Sequence, residues 1–321
     1  MPDDASPDVA ADVALDARAP VVPLEIHGLG VQGFVLRWGH DAVMTAPLFT
    51  RQSVLDVTLN MPIASDTAAV DAGLGDIAFD DVRAVVSGHA HYDHLLDVPR
   101  VLEKAPQAIA YTNVSGQHIL AALAADGCGS TPTLARDRVV AVDGAENTWI
   151  AVPNSHIRIM PIRSMHPAQV GPYHFGAGAI DHDLCELPKA ASGWLEGQTY
   201  ALLIDWLDDS GTPIYRVFYE DAPTNPPIAD VPASVLAEKQ VDVALLCVGS
   251  SDAVDDYPTH TLTTMNPRFA LSGHWEDFFQ PTSDAPQPIP LLDVAAYTAR
   301  ADAALPGRHT LVQPNQRIVV E

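Results

Sequence analysis

Ser87-Gly-His-Ala-His-Tyr-Asp-His94 concentrates more reactive side chains than any other stretch of this chain. His89, His91, Asp93 and His94 fall within six residues. Imidazole nitrogens and carboxylate oxygens are the ligands that borderline divalent metals such as zinc favour. A loop leaving a strand can aim alternate side chains at one point, so the cluster reads as a metal-binding loop rather than as scattered surface histidines. A metal held there would be suited to polarising a substrate oxygen and activating water.

Such a loop needs a rigid element to deliver it. The apolar run Val82–Val86 precedes it and reads as a buried strand, and residues 95–99 begin a helix. Further reactive residues also stand at strand ends. His166 follows the apolar run 157–163, and His156 is a rival placed before that run. Asp221 ends the aromatic strand 214–219, with Glu220 as its alternative, and His274 ends 269–273. The Ser272-Gly-His274 triplet echoes Ser87-Gly-His89, as two similar βα halves facing each other would produce.

The His-x-His-x-Asp-His spacing after a strand, completed in order by a later His, an Asp and a last His, resembles the metallo-β-lactamase-fold hydrolases. The likeness runs from about residue 24 to residue 279. It implies an α/β fold, a four-layer αββα sandwich of two mixed β-sheets. It also implies two divalent ions, zinc first with manganese or iron as alternatives. By the pattern, His89, His91 and His166 would hold one ion, Asp93, His94 and His274 the second, and Asp221 would bridge them. A hydroxide shared by the ions would attack an ester, lactone or phosphodiester bond, with Asp93 orienting it and moving its proton. The ending Gly273-His-Trp-Glu-Asp-Phe-Phe279 is most similar to the branch of ascorbate-lactone hydrolases and phospholipid-cleaving phosphodiesterases. One departure stands out: Thr45-Ala46-Pro47 occupies the place where the family often has an Asp before the proline. The alternatives are a narrow-specificity phosphodiesterase, or a non-catalytic metal-binding or interaction protein on the same fold. With His91 and His94 both present and no flavin domain following, the flavodiiron redox branch fits less well.

The other elements follow from periodicity and turn residues. Strands are expected at 24–30, 33–38, 42–45, 108–111, 138–142, 199–206 and 241–248, and helices at 98–104, 114–125 and 231–240. Residues 48–80 read as a long loop, and 289–321 as a short helix and a final strand. Alternating strands and helices indicate a layered α/β domain. Residues 1–20, acidic and rich in Pro and Ala, read as a flexible tail before a single domain spanning 21–321. Within that domain 167–198 lacks regular pattern and is a candidate lid, since long irregular segments beside a site often cover it. Its His174, Tyr173 and Trp194 are candidate substrate contacts, and His174, Tyr173, Tyr257 and His260 are candidate general acids.

Composition bounds the partners. The 321 residues carry 41 acidic against 17 basic side chains, a net charge of -24, which repels phosphate backbones and argues for a small-molecule substrate and against nucleic acid. No apolar run has transmembrane length, and the first twenty residues lack a basic and then apolar leader pattern. A cytoplasmic location is the expectation, with an exported protein that has lost its leader as the alternative. Cys128, Cys185 and Cys247 are odd in number and far apart, so they read as separate buried or idle thiols. Neither a Gly-x-Ser-x-Gly elbow nor a phosphate-cradling glycine loop is present.

Overall fold

Among the described residues, the β-branched and aromatic runs of the sequence form fourteen strands in two sheets of seven. The computed structural model describes residues 22–124, 126–129, 133–281 and 285–321, so the expected tail at 1–20 lies outside the described residues. The first sheet contains β1 (Leu24–Gly30), β2 (Gly33–Trp38), β3 (Asp41–Thr45), β4 (Val82–Val86), β5 (Ile109–Thr112) and β6 (Val139–Ala141) in that order. The second contains β7 (Ile150–Ala151), β8 (Ile157–Arg163), β9 (Tyr200–Leu207), β10 (Pro213–Tyr219), β11 (Val243–Cys247), β12 (Phe269–Gly273) and β13 (His309–Leu311). The last strand, β14 (Arg317–Val320), returns to the first sheet beside β1. Each sheet is antiparallel on one side and parallel on the other, the change falling at β3 and at β10. Parallel neighbours bring the C-terminal ends of β4 and β12 to the same edge of the sandwich, where ligands of α/β sheets are commonly held.

Packing explains the patterning. Ile26, Leu36 and Val43 from the first sheet meet Leu202, Ile204 and Val217 from the second in one cluster between the sheets. On the outer face of the first sheet, helices Val98–Lys104 and Val114–Leu120 bury Val101, Leu102, Ile119 and Leu120. On the outer face of the second, Thr259–Met265 and Val294–Ala304 bury Leu262, Met265, Tyr297 and Ala301. These are the four αββα layers. Strand β9 is covered on both faces, which is why its apolar residues run on without alternation, broken only by Asp205, which pairs with Arg216 and Arg158.

Three expectations are corrected. Residues 48–80 are not one loop: they hold helices Val54–Thr58, capped by Ser53, and Thr67–Gly73, capped by Asp66. At five and seven residues these are too short to show a hydrophobic period; Thr67–Gly73 buries Val70, whereas Val54–Thr58 buries no residue and is held at its start by the Ser53 cap on Asp56 N. The expected helix at 114–125 ends at Leu120 and tightens into a 3₁₀ turn, Ala121–Leu123. Cys128 and Cys185 are not separate thiols but a disulfide spanning 57 residues, while Cys247 is free and buried. Distance along the chain concealed the pair. No helix among the described residues is long and apolar enough to cross a membrane.

Candidate metal centre

The proposed ligands converge because four strands end at one edge. β4 leads to His89, then to His91 at the start of a short helix, Tyr92–Leu95, that carries Asp93 and His94. β8 delivers His166, β10 Asp221 and β12 His274. Two backbone features make this close approach feasible. A side chain at Gly88 would sit 2.3 Å from the Tyr200 carbonyl and 2.4 Å from Asp221 Oδ1, so only glycine fits. His274 adopts a left-handed conformation, φ 56°, and its N–H donates to Val31 O at 2.5 Å. Such a conformation in a non-glycine residue is uncommon and concentrates at functional sites.

Three groups of ligand atoms lie within 4.8 Å of one another: His89, His91 and His166; His89, His94 and Asp221; and Asp93, His94 and His274. Neighbouring carbonyls and carboxylates fix the direction of the rings. His91 Nε2 donates to Gly176 O at 3.3 Å, and His166 Nδ1 donates to Pro167 O at 2.6 Å. Each bond leaves the opposite ring nitrogen with its lone pair free. His89 Nδ1 donates to Asp221 Oδ1 at 2.9 Å, and His89 Nε2 is buried with no partner. Asp93 Oδ2 lies 3.3 Å from His274 Nε2 and 3.5 Å from His94 Nε2. An orphaned, buried imidazole nitrogen among convergent imidazoles fits a metal ion better than any network of hydrogen bonds within the chain.

Asp221 is fully buried, and both oxygens have partners. Oδ2 accepts from Gly88 N at 2.6 Å, Oδ1 accepts from His89, and Oδ2 lies 3.7 Å from His94 Nδ1. It therefore approaches His89 and His94 from their Nδ1 sides. A bridging role would require it to give up one of these bonds.

The electrostatics follow from burial. Desolvation holds the imidazoles of His89 and His166 well below their ordinary range, with neighbouring imidazoles adding to the effect. The same cause takes His91 down to about 3 and His94 to about 4. Neutral imidazoles are the form that binds metal. Burial alone would raise the Asp93 carboxyl, but His94, His274 and His91 hold it well below the usual carboxylate range. Burial pushes Glu220 up to about 8, and its carbonyl accepts from the Gln32 side chain.

The irregular segment 167–198 packs directly on this cluster. Glu196 O accepts from Ala90 N at 3.0 Å, and Gly176 O accepts from Glu196 N at 2.9 Å. His174 stacks on His166, ring centroids 5.4 Å apart, and its Nε2 donates to Glu196 Oε2 at 2.6 Å. Glu196 Oε2 is also 4.0 Å from His91 Nε2. Sequence reasoning missed Glu196, which lies 22 residues from its partner on a loop with no periodic signal. Tyr173 flanks His174 and is exposed. Trp194 does not share that surface: it is fully buried in the core cluster beneath the segment, and its indole donates to Pro188 O. Tyr257 is buried likewise, with its hydroxyl donating to Cys247 O, and His260 pairs with Asp230. His156 is half exposed and bonds Asp41, away from the cluster.

No protein-family profile and no curated protein matches the sequence. Solved structures do match in fold. The metallo-β-lactamase-fold protein YhfI from Bacillus subtilis has a TM-score of 0.52 at 11% identity, covering 92% of this chain and 99% of that one. A metallo-hydrolase from the archaeon Ignicoccus hospitalis has a TM-score of 0.53 at 14% identity, covering 93% and 99%. CmlA, a diiron β-hydroxylase from Streptomyces venezuelae, has a TM-score of 0.52 at 10% identity, covering 94% of this chain and 55% of that one. These likenesses show the metallo-β-lactamase fold. Neighbours on the fold include both a metallo-hydrolase and a diiron hydroxylase.

Proposed function

We propose that this chain is a metal-dependent hydrolase that uses two divalent ions, zinc first among the candidates, to cleave a carboxylic ester or lactone with an apolar portion. The observation that carries the reading is the convergence of five imidazoles and Asp93 from three strand ends, with their free nitrogens turned inward. In this reading His89, His91 and His166 hold one ion and Asp93, His94 and His274 the other. When bound, such ions polarise a carbonyl oxygen and lower the pKa of water to about 7. Asp93 stays ionised, so its carboxylate can accept a hydrogen bond from the attacking water and steer it. Asp221 holds His89 from behind, a carboxylate–histidine arrangement that fixes the ring and raises its basicity.

The surroundings favour an uncharged substrate. Tyr173 and Phe175 stack on each other beside His174 and are 66% and 59% exposed, forming an apolar lip. A groove of about 650 Å³, lined in part by Arg163, Ser164, Met165, Gln198, Ile228 and Asp230, opens at the end of β8 just before His166 in the chain. A net charge of -24 slows the approach of anions, which disfavours the phosphodiester alternative. The segment 167–198 would then act as a fixed wall of the site more than as a hinged lid. The Cys128–Cys185 bond supports the exported alternative, because disulfides persist in oxidising compartments.

The test compares a chromogenic carboxylic ester, a lactone and a phosphodiester, each offered to chelated and zinc-restored protein. Zinc-restored cleavage of the ester or lactone is the expected result. Cleavage of the phosphodiester alone would reverse the substrate assignment. No cleavage by protein shown to hold two ions would favour a binding protein on the same fold.

A further inference from the structure

His166, His174 and Glu196 form a fourth group whose ligand atoms lie within 4.8 Å of one another, and all three are only partly buried. The ligands deeper in the site differ: His89 and His94 have at most 1% exposure. His166 belongs to both sets. Because its Nδ1 is committed to Pro167 O, only Nε2 can bind an ion, and one lone pair serves one ion at a time. The deep set and the shallow set must therefore compete for it. His174 and Glu196 are 2.6 Å apart, joined by a hydrogen that a cation could replace. Two imidazoles and a carboxylate are a complete protein ligand set for a zinc-like ion with an open position.

We propose that His166, His174 and Glu196 are an outer position for a divalent transition ion, which reaches the deep site through it and shifts inward by exchanging His174 and Glu196 for His89 and His91. The proposal rests on the metal-centre reading above and adds two ligands to it. The segment 167–198 is then part of the loading route and not only a substrate wall. Gly176, whose carbonyl fixes His91, and Glu196, whose backbone bonds Ala90, tie the outer ligands to the inner loop, so the two positions stay at a constant separation.

The test uses cobalt, whose visible spectrum reports its ligands, with metal content measured after dialysis. H89A/H91A protein, stripped by chelation and reloaded with cobalt, should retain two ions, one at Asp93, His94 and His274 and one at the outer position. Adding E196Q should reduce this to one. Equal content in the two variants would overturn the proposal. In otherwise intact protein, E196Q and H174A should weaken the outer position about tenfold, as loss of a residue supporting a metal site does, and so slow cobalt uptake in proportion without changing the final spectrum. Unchanged uptake in both would overturn it even if the double variant fails to fold. Wild-type protein that binds no cobalt at all would instead sink the metal-centre reading beneath it.

Discussion

Two regions meet at the candidate metal centre and hold their side chains by different means. The loop after β4 is short, buried and fixed at both ends: Val82–Val86 lies between β3 and β5, and Leu95, Leu96 and Val98 anchor its far end in the core. The segment 167–198 has almost no regular structure, yet it is not loose. Trp194 is fully buried, Ile180 N donates to Ser115 Oγ at 2.9 Å, and Leu184 N donates to His118 O at 3.0 Å. Asp183 bonds both His118 and Arg136 at 2.8 Å, and Cys185 is linked to Cys128. In the first region backbone geometry places the ligands. In the second, individual side-chain contacts with distant residues place them. Position along a strand is therefore robust to most surface changes, whereas the position of Glu196 or His174 depends on a handful of anchors.

The largest expected effect comes from the first region. His91→Ala removes an inward-facing ligand, and metal-dependent hydrolysis should fall to background while the far-ultraviolet circular dichroism stays unchanged. Undiminished turnover would break the catalytic reading. Asp221→Asn sharpens it. An orienting carboxylate predicts that both ions remain, bound ~10–100-fold more weakly. Loss of one ion would mean that Asp221 bridges them, as the family pattern implies.

The second region should respond most strongly through its disulfide. Closing a loop of 57 residues stabilises the fold by about 4 kcal/mol in the chain-entropy account. Cys185→Ser should lower the denaturant midpoint accordingly and weaken substrate affinity more than turnover. A midpoint unchanged from the parent would show that the ion pairs and Trp194 suffice to seat the segment. Reduction of the parent protein breaks the same bond and should reproduce the variant.

These contrasts also explain which features the sequence discloses. The His89-to-His94 cluster, His166, Asp221 and His274 are legible because each comes after an apolar run that has to be a strand. A strand end is a fixed place in this fold. The short helices at Val54–Thr58 and Thr67–Gly73 are not legible, since five to seven residues carry no period. Neither is the Cys128–Cys185 pair, nor Glu196, because loop contacts obey no spacing rule. Trp194 shows the opposite hazard. An aromatic residue in an irregular, polar segment reads as a ligand contact, yet it is the plug that seats the segment on the core.

Acid should separate the regions as well, acting on the first alone. The His91 and His94 imidazoles sit at about 3 and about 4 in the metal-free protein, below an unfolded value near 6.5. Their folded pKa values are depressed, so the unfolded chain binds more protons below that value. Stability is fully present above about pH 6.5 and declines by ~1.4 kcal/mol per pH unit for each histidine as pH falls toward 4. Below 4 only His91 continues to contribute, down to about 3. Bound metal should steepen acid sensitivity, because protons then compete with the ions for the same nitrogens. Urea melts of chelated protein between pH 7 and pH 4 would measure this. A flat profile would mean that the imidazoles are more hydrated than their burial indicates.

The smallest effect belongs to the apolar lip. Tyr173 and Phe175 stack with ring centroids 6.5 Å apart and touch solvent rather than core. Neither supports the fold, so Tyr173→Ser and Phe175→Ser should leave the melting temperature where it was. Covering part of each ring with a substrate chain would contribute on the order of 1 kcal/mol, given ~25 cal/mol per Å² of apolar surface removed from water. KM for a long-chain ester should then rise several-fold in each variant. A short-chain ester, which cannot reach the lip, should be cleaved as before. An equal rise for both substrates would mean that the rings act on the metal ligands through His174 and not on the substrate. The second region would then be an extension of the metal site and not its substrate wall.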